Sequence, residues 1–178
     1  CESLLPYVDK ESDVIVIDGI SEGGKNNLTH FRYKDETIYL GQEYMKKATI
    51  QENLPMAAWL YVYRRDFLDK YSLRFKKGIL HEDEQFTPRA LLKAKTVLNS
   101  GIGFYHYVIR GGSITTQSDK RKNAVDLYNT CLELEKIYDE LNDKMLKLHL
   151  KDTLVSKYLN LFQTGKLYQY GKKYIHKD

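Results

Sequence analysis

Cysteine, tryptophan and long apolar runs are all scarce in this chain of 178 residues, and each scarcity excludes something. Two cysteines, Cys1 and Cys131, give neither a disulfide framework nor the spacing of a zinc site, which points to a reducing, cytoplasmic setting. No apolar run approaches the length needed to span a membrane, and no secretory signal is read at the start. Charge of one sign is also lacking. The formal net charge is +4, and Lys166, Lys172, Lys173 and Lys177 against Asp178 place +3 of it at the end of the chain. The remainder is near neutral, which argues against a general nucleic-acid binder. One tryptophan stands against fifteen tyrosines, whose rings suit surfaces half apolar and half wet. The chain begins at Cys1 without a methionine, as a processed lipoprotein, an amino-terminal-nucleophile hydrolase or a segment of a longer chain would. Ser3-Leu-Leu-Pro-Tyr-Val8 reads as the end of a helix already under way, which favours the segment.

A hydrophobic content of 42% and a charged content of 29% are ordinary for a soluble globular protein, and the length suits one domain with an appendage. Val14-Ile-Val-Ile17, ending in Asp18-Gly19, has the pattern of a strand buried on both faces. Leu28 to Tyr33 and Thr37 to Leu40 can form a hairpin around Lys34-Asp35-Glu36. Gly41 to Thr49 reads as a helix with Tyr44, Met45 and Ala48 on one face, broken at Asn53-Leu54-Pro55. Ala57 to Tyr63 is a strand candidate, and Asp66 to Tyr71 a brief helical turn. Phe86, Ala90, Ala94 and Val97 recur at helical spacing, widened by Leu91 and Leu98, and Asn99-Ser100-Gly101 closes that helix. It starts either at Thr87-Pro88 or nearer Glu82, bent by the proline. Ile102 to Arg110 returns as a strand. Beyond residue 118, Leu127, Cys131, Leu134, Tyr138, Leu141, Met145 and Leu148 step like a heptad, and a second helix spans Lys151 to Phe162 with Leu154, Val155, Tyr158 and Leu161. The expected fold is therefore mixed α+β, a body over residues 1–117 and a helical tail over residues 118–178.

Chemistry concentrates in Phe75-Lys-Lys-Gly-Ile-Leu-His-Glu-Asp-Glu-Gln-Phe86. A helix starting at Glu82 and Asp83 would stabilise a carboxylate through its dipole and keep it ionised, as a general base requires. Spacing alone favours an acidic helix cap. Arg110, beside Gly111-Gly112 and Ser113, can clamp a phosphate through its fork and the loop amides, or make a surface salt bridge. His81 and His106 fit metal ligands or structural histidines. Trp59, Tyr61 and Tyr63 fit a sugar-stacking platform or a core strand.

Taken in order, these pieces resemble the second half of family 2 glycosyltransferases of the GT-A fold, and most of all the bacterial enzymes of capsule and lipopolysaccharide synthesis. The resemblance runs from about Asp13 to Thr116. It rests on the Glu82-Asp83 pair after the Phe75-x-x-Gly78 turn and on the run Tyr105-x-Tyr107-x-x-Arg110-x-x-Ser113. It implies a partial GT-A-like sheet with flanking helices, and an inverting sugar transfer from a nucleotide-sugar donor to a saccharide or lipid-linked acceptor. Asp83 matches the family's general base and Glu82 its neighbour. Arg110 and Ser113 match the loop near the donor diphosphate, and Trp59 and Tyr61 lie toward the acceptor.

The sequence departs from the family where the donor and metal should be held. Asp18-Gly19 has no second aspartate at the Asp-x-Asp spacing, so the divalent metal, Mg or Mn, is expected in the full-length enzyme and not on this chain alone. The resemblance thus implies an acceptor-side half, inactive by itself, at the inner face of the membrane. Tyr168, Tyr170 and Tyr174 among lysines fit peripheral contact with an anionic surface, or a solvated end. The heptad stripe fits packing on the body or a homodimer. A different class of reading is a non-catalytic interaction module that binds a partner through its tail; a third is a hydrolase with Cys1 as nucleophile.

Overall fold

The uniformly apolar run Val14-Ile-Val-Ile17 becomes the first half of strand β1 (Val14–Glu22) in the computed structural model, which describes residues 2–22, 36–108 and 121–163. All four side chains of that run are buried, as a strand covered on both faces requires. β1 follows a short 3₁₀ turn (Glu2–Leu4) and helix α1 (Leu5–Val8). After it come β2 (Ile38–Tyr39), α2 (Gly41–Ile50), a 3₁₀ turn (Ala58–Leu60), β3 (Tyr61–Tyr63), α3 (Arg65–Lys70), α4 (Glu82–Lys93), β4 (Val97–Val108), α5 (Arg121–Asp139) and α6 (Lys144–Gln163). The architecture is mixed α+β: an open four-stranded sheet in the order β2-β4-β1-β3 with flanking helices, and a helical tail.

The chain divides into two compact units. The first holds Cys1–Phe75 with Phe86–Gly111, and the second holds Lys76–Gln85 with Gly112–Asp178. In the first unit β1 runs parallel to β4 and antiparallel to β3, while β2 pairs antiparallel with β4. Ile15, Ile17 and Leu98 form a core against which Val62, Ile102 and Phe104 pack. Asp13 fixes the start of the parallel pair. Its carboxylate accepts the Lys95 amide at 2.8 Å and the Thr96 amide at 3.3 Å, and its own amide donates to Thr96 Oγ1 at 2.9 Å.

Those bonds correct one sequence expectation. Val97 and Leu98 continue the helical spacing of Phe86, Ala90 and Ala94, yet they open β4 rather than extend the helix. The Ala94 amide still bonds back to the Ala90 carbonyl at 3.0 Å, but the chain then leaves the helix because the Lys95 and Thr96 amides are claimed by Asp13, and Val14 donates to the Thr96 carbonyl at 3.1 Å. Asn99-Ser100-Gly101 therefore lies within a strand, as a bulge: between Asn99 and Gly103 the register slips against Val16 and Asp18, with Gly101 at φ +59°. The Ser100 hydroxyl donates to the Val16 carbonyl at 2.6 Å inside this bulge.

Other expectations hold or shift. α2 forms as expected, with Tyr44, Met45 and Ala48 buried. Gly41 at its start allows a close approach: a Cβ there would sit 1.9 Å from the Leu91 carbonyl oxygen. Of the Ala57–Tyr63 strand candidate, only Tyr61–Tyr63 pairs, and the rest is a 3₁₀ turn. β1 runs through Asp18-Gly19 instead of ending there. α4 begins at Glu82, the earlier of the two starts, and contains Pro88. The first arm of the proposed hairpin, Leu28 to Tyr33, lies outside the described residues.

The second unit corrects the heptad. α5 ends at Asp139 and α6 starts at Lys144, because Asp143 caps the new helix by accepting the Met145 amide at 2.9 Å and the Leu146 amide at 3.0 Å. The buried set then moves from Cys131, Leu134 and Tyr138 to Leu146, Leu150, Leu154 and Leu161, which leaves Met145, Leu148 and Val155 exposed. α6 is also longer than the Lys151 to Phe162 helix expected.

Candidate functional site

The acidic stretch lies in the second unit. Gly78 takes φ +82°, the turn the sequence signalled, and three residues later His81 adopts φ +60°, a conformation that side chains beyond Cβ rarely take. α4 then begins at Glu82, its first turn carrying Glu82, Asp83 and Glu84. Glu82 is exposed, whereas Asp83 and Glu84 are half-buried. The Glu84 amide donates to the His81 carbonyl at 3.1 Å and to Asp83 Oδ1 at 2.9 Å.

Burial raises the Asp83 carboxyl above its ordinary value, and the neighbouring charges of Glu84 and Glu82 add to the rise, while the Glu84 amide and His81 oppose it. Desolvation therefore outweighs the helix-start effect that alone would lower it. A raised carboxyl is a stronger base once ionised, so the position favours proton abstraction more than a solvated cap would.

The stretch is held by its own unit. Asp126 Oδ2 accepts the Leu80 amide at 2.8 Å, and Asn123 Nδ2 lies 3.2 Å from His81 Nε2. Lys157 meets Glu84 at 2.5 Å, and Glu133 accepts Gln85 Nε2 at 2.7 Å and Lys76 Nζ at 2.8 Å. His81 is thus engaged by an amide side chain. Among the described residues no group of three His, Cys, Asp or Glu side chains is arranged to hold a metal ion.

The aromatic candidates lie in the first unit and separate into two roles. Trp59, in the 3₁₀ turn before β3, stacks on Tyr105 of β4 with ring centroids 4.6 Å apart and planes at 26°. The indole lies over Gly19, where a Cβ would come within 2.6 Å of the ring. Tyr105 is exposed, so the pair presents a ring at the surface. Gly19 and Tyr105 are register partners next to the bulged segment of β4, and no spacing in the sequence announces that meeting. Tyr61 is different. It is 5% exposed, its hydroxyl donates to the Pro55 carbonyl at 2.6 Å, and burial pushes that hydroxyl far up. The ring expected on the acceptor side is a core ring. Arg110 and Ser113, expected near the donor diphosphate, lie outside the described residues, as do Cys1 and the tyrosines of the chain end.

No family model matches the sequence, and no curated protein matches it. Among solved structures the chain is similar to S. aureus TarS 1–349 in complex with UDP-GlcNAc, with a TM-score of 0.57 and 16% identity over 96% of this chain and 46% of that one. It is also similar to a second crystal structure of S. aureus TarS 1–349, with a TM-score of 0.53 and 14% identity over 96% of this chain and 44% of that one. The chain spans less than half the length of these TarS chains. At such identities the likeness is one of fold, and that fold is shared with part of TarS.

Proposed function

We propose that this chain is the acceptor-side part of an inverting, family 2 glycosyltransferase of cell-surface polysaccharide synthesis, with Asp83 as its general base. The observation that carries the reading is a half-buried carboxylate with a raised pKa at the start of α4, in a fold shared with part of TarS. In the reaction the Asp83 carboxylate takes the proton of an acceptor hydroxyl. The hydroxyl oxygen attacks the anomeric carbon while the bond from that carbon to the nucleotide diphosphate breaks on the opposite face. The configuration inverts and the diphosphate leaves with the bonding pair. Glu82, exposed beside Asp83, orients the acceptor.

The TarS structure in complex with UDP-GlcNAc supports a uridine diphosphate sugar as the donor class. Trp59 stacked on Tyr105 supplies a platform for the apolar face of a sugar ring in the acceptor. Arg110 and Ser113 serve the donor diphosphate, and a divalent ion, Mg or Mn, belongs to the donor part of the full-length enzyme. The acceptor is a saccharide or a lipid-linked saccharide, which places the enzyme in the cytoplasm at the inner face of the membrane.

Asp83→Asn in the full-length enzyme is expected to lower transfer at least about 1,000-fold while donor affinity changes less than about twofold, because the variant removes the base and little else. Transfer at the wild-type rate would sink the assignment. A second reading, an interaction module, is favoured by the exposed Met145, Leu148, Val155 and Leu159 on α6. Sedimentation of the chain would report any dimer built on that face.

A further inference from the structure

The ten residues Lys76–Gln85 are tied to α5 and α6 more densely than a turn and a helix start require. Lys122 Nζ donates to the Gly78 carbonyl at 2.7 Å and pairs with Asp126. Asp126 in turn takes the Leu80 amide, Asn123 engages His81, Lys157 pairs with Glu84, and Glu133 holds both Lys76 and Gln85. On α5 the contacting residues Lys122, Asp126 and Glu133 recur at spacings of four and seven, so one helix face is given over to this segment.

We propose that Asn123, Asp126 and Lys157 are positioning residues for Asp83: the tail helices hold His81–Gln85 in the one backbone arrangement that presents its carboxylate. This rests on the reading of Asp83 as the base. His81 at φ +60° would relax if released, and a relaxed His81 would re-aim the first turn of α4. The bracket closes on both sides of that residue. Leu80 is fixed through its amide on one side, Glu84 through its side chain on the other, and His81 itself through its ring. The Lys157–Glu84 pair is 21% exposed at each side chain, so it is partly desolvated, and loss of the lysine leaves a half-buried carboxylate next to Asp83 with no cation.

Two measurements test the bracket. Amide hydrogen exchange in the chain should quicken about tenfold or more at Leu80 and Glu84 in Lys157→Met and Asn123→Ala, while Val14 and Val16 in β1 keep their protection. In the full-length enzyme, with UDP-GlcNAc as probe donor, the same variants should lower kcat by about 10- to 100-fold with the donor KM unchanged, and Lys157→Arg should restore most of the rate. A purely structural role would quicken exchange in β1 as well, or leave kcat intact, and either result overturns the proposal. So does unchanged exchange at Leu80 and Glu84. Should Lys157→Met fail to fold, Asn123→Ala, which removes a single hydrogen bond, decides the question alone. Failure of the base assignment reads out separately, as full transfer by Asp83→Asn with the exchange changes still present.

Discussion

At Asp83 two consequences of one position compete. The start of a helix lowers a carboxyl through its dipole and free amides, and burial raises it. Burial wins here, helped by Glu84 and Glu82. At Asp126 the balance is reversed: burial again pushes up, but the Lys122 ammonium and the Leu80 amide outweigh it and leave the carboxyl lowered. A group whose folded pKa is raised gives stability that is present below its unfolded pKa and lost as pH rises through the folded one. Asp83 thus destabilises the ionised protein, and Asn, which copies the protonated form, should not. Asp83→Asn is expected to melt above the wild type at about pH 7 and level with it at about pH 3, where the Asp83 carboxyl is protonated in the folded and the unfolded chain alike. A melting-temperature series across that range checks the sign, and a variant no more stable at neutral pH would show that the carboxyl is not strained. Activity lost with stability gained is the mark of a residue kept for chemistry. The sequence named Asp83 through its motif but carried no trace of how far it is buried, since burial is set by the folded surroundings and not by spacing.

Among the elements, those whose pattern is local were legible and those decided by a distant bond were not. β1, α2 and α4 follow from an apolar run, a one-faced stripe and a proline tolerated within a helix. β4 was misread because Val97 and Leu98 satisfy a helical period while Asp13, far back in the chain, takes the amides that the helix needed. The tail was misread for a nearer reason. Asn142-Asp143 is a capping signal in the middle of the heptad-like stripe, and the cap it makes restarts the helix in a new register. The two registers make opposite forecasts for neighbouring leucines of α6. Leu150 is fully buried, so Leu150→Ala should cost about 2–5 kcal/mol. Leu148 is 53% exposed, so Leu148→Ala should stay within about 0.5 kcal/mol. Urea unfolding of the two variants separates the registers, and a larger loss at Leu148 than at Leu150 would restore the continuous heptad.

For the whole molecule, the decisive fact is extent. The chain matches TarS over 96% of its own length but only 46% of the TarS chain, and no donor-type metal cluster lies among its described residues. The reading of an acceptor-side part then makes a forecast about binding that fold likeness does not make. UDP-GlcNAc with Mg or Mn should bind this chain more weakly than about 1 mM, whereas a longer chain that includes the donor part should bind it in the ordinary micromolar range. The protein carries its own reporter, because Trp59 is its one tryptophan and sits stacked on Tyr105. Its emission should be unmoved by UDP-GlcNAc and should respond to saccharides that stack on the indole. Trp59→Phe keeps an aromatic face and should keep saccharide binding measurable by calorimetry, while Trp59→Ala should weaken it by about 1 kcal/mol or more. Micromolar binding of UDP-GlcNAc to this chain alone would mean that it holds a donor site of its own, and the division of labour proposed for it would be wrong.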